Sequence, residues 1–109
     1  MLEMNESDWK VFRQVHQTAL ERFFTRVVAE IAAIANDASK PDADRYHAIY
    51  QLQQSRDQEL AQGFDNPRRS QAGFQLALLR RWQLVTDEEF SRFSPDIQSR
   101  VTGLEEFSR

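Results

Sequence analysis

Residues 9–35 read WKVFRQVHQTALERFFTRVVAEIAAIA, and the spacing of their apolar side chains decides the fold. Trp9, Phe12, Val15, Ala19, Phe23, Val27, Ile31 and Ile34 recur in steps of three and four. That is the period of an α-helix with one buried stripe. Phe24 and Val28 lie beside the stripe and widen it. Just before it, Asn5 and Asp8 have capping-box spacing, with Met4 and Trp9 placed to staple the helix start. The first helix is therefore expected over residues 5–36, a length of about 45 Å.

Working outward, the stretch SKPDAD opens a second helix, expected over 40–62, with Ser39 as cap and Asp42 and Asp44 complementing the helix dipole. Gly63 reads as its left-handed end. Its inner face is expected to carry Tyr46, Ile49, Tyr50, Gln53, Asp57, Leu60 and Phe64. A third helix is expected over 67–84 with Asn66 as cap; it is apolar on two sides, as central helices are. Thr86 and Glu89 form a capping box for a short helix over 87–93, and Ser94-Pro95 opens another over 95–106. Short connections make the first three helices antiparallel neighbours. The expected fold is all-α: one domain over residues 1–109, an antiparallel three-helix bundle with a long first helix and two short C-terminal helices packed over it.

Composition narrows the function classes. The 109 residues carry a net charge of −3 and 28% charged residues, a balance that argues against a general binder of nucleic acid or membrane surfaces. With no cysteine there is no disulfide framework and no thiolate chemistry, which fits the cytoplasm. The N-terminus lacks the apolar segment of a signal peptide, and no apolar run approaches the ~20 residues of a membrane span. The composition resembles that of short stand-alone bacterial proteins without evident chemistry. No nucleophile elbow or glycine-rich phosphate loop occurs, so no catalytic residue is assigned. Asp44-x-x-His47 is a single carboxylate–imidazole pair without the second copy a di-metal bundle uses, and it reads as a solvated face. No metal or cofactor is expected.

Three groups of residues remain as candidate sites. Folding the second and third helices back on the first brings His16, Gln53, Asp57 and Arg69 towards one spot. That cluster is either a buried polar network or a small anionic-ligand or acid–base site. Arg68, Arg69, Arg80 and Arg81 crowd a stretch without acids, which suits an interaction surface or contacts to phosphate. Trp9, Phe24, Val28 and Trp82 are the candidates for an apolar interface. The function these features favour is protein–protein interaction, self-association included, with nucleic-acid or anionic-ligand binding through the arginines as the alternative.

Overall fold

The computed structural model describes residues 3–107. The chain is all-α, a helical bundle made of α1 (Glu6–Ala35), α2 (Asp42–Phe64), α3 (Ala72–Arg81), α4 (Asp87–Phe90) and α5 (Pro95–Phe107). It is elongated, 51 × 23 × 22 Å, because α1 and α2 form an antiparallel hairpin that outreaches everything else.

At the N-terminus of α1 the Asn5 cap forms but the reciprocal half of the expected capping box does not. Asn5 accepts the Asp8 amide at 2.8 Å, and Met4 is buried. Phe12, Val15, Ala19 and Phe23 are buried, so the stripe that defines α1 is the core stripe along its first half. Asp8 is buried as well. Its carboxylate accepts from the Ser94 amide and hydroxyl at 2.8 and 2.7 Å, which ties the start of α1 to the start of α5.

The α1–α2 seam is stitched at three heights. At the base, His16 Nε2 lies 3.2 Å from the Gly63 carbonyl. Midway, Arg56 bridges to Glu30. At the tip, Arg45 donates to the Ala35 carbonyl at 2.5 Å and closes the last turn of α1. The connection turns on Asp37, which takes the Ser39 amide and hydroxyl; Pro41, not Ser39, is the residue before α2, and no side chain caps it.

Helix α3 is shorter than the expected 67–84. Asn66 adopts a positive φ of 50° rather than capping, and a turn closed by the Gln71 amide on the Arg68 carbonyl precedes the helix. At the other end Gln83 has φ 60°. The Leu84 amide returns to the Leu79 carbonyl at 2.9 Å and the Gln83 amide to the Arg80 carbonyl at 3.0 Å. This is a Schellman motif, with glutamine where glycine is usual. Leu79 and Leu84 are both buried, as that motif favours. Gly63 does not end α2 as a left-handed cap; it lies within the helix, and the positive φ falls on Asn66 instead. A β-carbon at Gly63 would stand 2.6 Å from Trp82 Cζ3, so glycine there permits close packing of α2 on that indole.

The outward-turned carbonyls of this Schellman loop meet α1. Arg22 Nη1 donates to the Leu84 carbonyl at 2.9 Å, while Arg26 donates to those of Trp82 and Gln83 at 2.6 and 3.1 Å. Arg22 also forks onto Glu89 at 2.6 and 2.9 Å. Glu89 meanwhile completes the capping box of α4 with Thr86, as its spacing foretells. Packing of α5 along α3 then closes the core through Leu76, Leu79, Phe93, Ile97 and Val101.

The Arg22 fork, with help from the Thr86 amide and hydroxyl, holds the Glu89 carboxyl at about 2, well below its usual 4.5. A carboxyl pKa lowered by folding stabilises the fold fully above the unfolded value and ceases to do so as pH falls through the folded one. Glu89→Gln keeps the capping-box geometry but removes the charge. Between about pH 5 and pH 2 the wild type is expected to lose about 1–2 kcal/mol more than Glu89→Gln, after allowing for the solvent around Arg22. Urea unfolding across that range measures it; parallel pH profiles would refute it.

Candidate functional site

The expected cluster of His16, Gln53, Asp57 and Arg69 does not assemble. His16 lies between the rings of Phe12 and Phe64, at 4.9 and 5.1 Å, and its bond to Gly63 makes Nε2 the protonated nitrogen. Burial lowers its pKa, against the opposing pull of the Gly63 carbonyl. Gln53 and Asp57 are exposed. Arg69 pairs with Glu6 on α1, its guanidinium 5.8 Å from the Trp9 ring centre.

The cause is a rotation of α2. Its inner line is Arg45, Ile49, Leu52, Arg56, Leu60 and Gly63, set about 100° away from the line through Tyr46, Tyr50, Gln53 and Asp57. Arg45 and Arg56 occupy seam positions because their aliphatic stems can cover the seam while their heads reach polar partners. Arg56 holds Glu30 at 2.8 Å and Glu59 at 2.7 Å, all three partly exposed. Glu30 first and Glu59 second raise its pKa further above the usual arginine range. This charged trio takes the place of the expected network. Beside it, a cleft of about 170 Å³ opens between the hairpin and the loop after α3, walled by Phe23, Val27, Trp82 and Leu84.

The arginine group divides. Arg80 pairs with Asp87 at 3.0 Å and Glu105 at 3.4 Å, and lies 4.1 Å from the centre of the Phe90 ring. With Arg69 also paired, only Arg68 and Arg81 remain as exposed members, at opposite ends of the α3 segment. They do not form a four-arginine surface.

The apolar group divides too. Trp9 stacks on Phe12 at 5.5 Å, and Trp82 packs against the core beside Gly63; both are only partly exposed. Phe24 and Val28 do face outward, at 48% and 64% exposure, together with Tyr46 at 71%, Tyr50 at 55% and Phe74 at 51%. Tyr46 and Tyr50, on the face of α2 expected to point inward, thus point out.

Phe24, Val28, Tyr46 and Tyr50 belong to one surface. On α1, Phe24 and Val28 lie roughly 80–120° past the seam in the direction of increasing residue number. On α2, Tyr46 and Tyr50 lie a similar angle past it in the same sense. Antiparallel helices that face each other place equal offsets on the same side of the pair. Arg22 and Arg26 fall on the opposite side of α1, where the loop after α3 is held. The charges nearest this face are the exposed Glu21, one turn before Phe24 on α1, and Asp57 on α2, both at the end nearest the body of the molecule. On α2, residues 46–55 contain no Asp, Glu, Lys or Arg. Among the described residues, none from Phe24 to Gln62 is fully buried.

No protein-family model matches the chain, and no curated protein or solved structure matches it significantly. No group of three or more potential metal-ligating side chains occurs among the described residues, and no described helix is long and apolar enough to cross a membrane.

Removing Arg56 leaves Glu30 and Glu59 facing each other across the seam. Arg56→Met retains the stem and is expected to cost about 1 kcal/mol at pH 7. The loss should shrink near pH 3.5, where free carboxylates are mostly protonated. Denaturant midpoints at the two pH values test this; an equal loss at both would show that the trio contributes nothing through charge.

Proposed function

We propose that the protein acts by binding another protein through the outer face of the α1–α2 hairpin. A binding role, rather than catalysis, is the reading, and the cytoplasm is the setting that goes with it. The observation that carries it is the exposed, uncharged surface of Phe24, Val28, Tyr46 and Tyr50 on the half of the hairpin that the other helices leave uncovered. Aromatic enrichment with depletion of charge marks the centre of protein interfaces. Most side chains of a solvated helix face are charged, and an apolar patch of several hundred Å² is the kind that serves as an interaction site. Phosphate recognition by the arginines is less favoured, because Arg69 and Arg80 already meet carboxylates within the fold.

A benzophenone amino acid in place of Tyr50 tests the reading in the native cell. Light is expected to yield a covalent adduct with a protein, whether another copy or a different chain. Val28→Asp in the same chain should reduce that adduct about tenfold or more, as charge placed at an interface centre does. No adduct, or an adduct indifferent to Val28→Asp, would overturn the proposal.

A further inference from the structure

We infer that the occupant of this face is a second copy of the chain, two hairpins pairing face to face to make a four-helix bundle. The inference rests on the binding role proposed for that face and names its partner.

Architecture supplies the first argument. Beyond Val27 the hairpin consists of two helices alone, and Ile31, Ile34, Ile49 and Leu52 along its seam all remain partly exposed. Two helices cannot enclose such a seam, whereas four can; bundles form their cores from the facing stripes of four helices. Two identical hairpins supply the missing pair.

Charge supplies the second. An isologous interface sets each patch against itself, so any net charge at its centre would oppose its own copy. The α2 half of this face has none between Tyr46 and Ser55, and its exposed carboxylates, Glu21 on α1 and Asp57 on α2, lie at the end nearest the body rather than at its centre. A face meant for a strongly charged partner would carry complementary charge.

Area supplies the third. Phe24, Val28, Tyr46 and Tyr50 together expose about 500 Å². Adding Ile31, Ala32, Ala35, Ile49 and Gln53, which flank them, brings the face to the order of 800 Å² per partner found in stable complexes. The body of the molecule does not obstruct approach: α1 is held to the α3–α4 loop on its other side, and the loop before α3 meets the chain near Met4, Glu6 and Trp9, at the start of α1.

The test uses the purified full-length chain. Light scattering coupled to gel filtration is expected to give twice the chain mass at about 100 µM. Val28→Asp and Tyr50→Asp should each weaken the dimer roughly 100-fold, with helical circular dichroism unchanged because both positions are exposed. The chain lacks cysteine, so Val28→Cys introduces a single thiol. Oxidation should join Val28→Cys chains in pairs and leave Gln51→Cys, on the other side of the hairpin, unjoined. A monomer at this concentration would overturn the inference. So would a dimer that survives both aspartates. A monomer that still forms a Tyr50 adduct with a different protein in the cell would overturn self-pairing alone and leave the binding face standing.

Discussion

Two arginines one turn apart on α1 determine how the molecule is put together. Arg22 and Arg26 donate to three successive carbonyls, those of Trp82, Gln83 and Leu84, and Arg22 donates to Glu89 as well. These carbonyls point outward only because the chain leaves α3 through a left-handed residue at Gln83. A glutamine there is less favourable than glycine by of the order of 1 kcal/mol. The charge-assisted bonds that the turn makes possible offset that cost. With the loop placed, α4 is capped through Thr86 and Glu89, and α5 can lie along α3 over the apolar side chains of the core.

The same arrangement gives the hairpin two unlike sides. The side bearing Arg22 and Arg26 is occupied by the rest of the protein. The other is exposed from Phe24 outward and carries aromatic and aliphatic groups, with Glu21 and Asp57 at its base. Seam contacts along the hairpin are polar to an unusual degree: a histidine to a carbonyl, an arginine between two glutamates, an arginine to the end of α1. Polar contacts of that sort define register and angle well, yet at partly exposed sites each contributes modestly to stability. The distal hairpin is thus geometrically specified but thinly packed.

Much of the fold is legible in the sequence, and the parts that are not share a cause. The long α1, the Asn5 cap and the Thr86–Glu89 box can be read because each depends on residues within one turn of each other. The all-α class follows from the same periodicity. The face of α2 cannot be read so directly. Taking tyrosines as inward and arginines as outward rotates the helix by about 100°, since Arg45 and Arg56 enter the seam by their stems. That rotation carries Gln53 and Asp57 away from His16, and the later start of α3 leaves Arg69 in a turn on Glu6, so the four residues do not meet. Glu30 and Arg56, the pair present instead, are 26 positions apart, and nothing local links them. Asn66-Pro67 misleads for a different reason. Asparagine is suited both to capping a helix and to a left-handed turn, and the second is what occurs. Of the candidate interface residues, Phe24 and Val28 stand out as apolar excess beside a stripe already complete, whereas the two tryptophans are absorbed into packing by Arg69 and Gly63.

The single helix α1 passes through two environments, and its backbone amides should not share one lifetime. Up to about Phe23 they open only when the core does, because Phe12, Val15 and Ala19 are enclosed by other helices. From Val28 to Ala35 opening requires only that a two-helix hairpin part, a local event of much lower free energy. Solvent hydrogen would therefore enter from the tip and meet a barrier midway along one continuous helix. The position of that barrier marks where this chain ceases to supply its own enclosure.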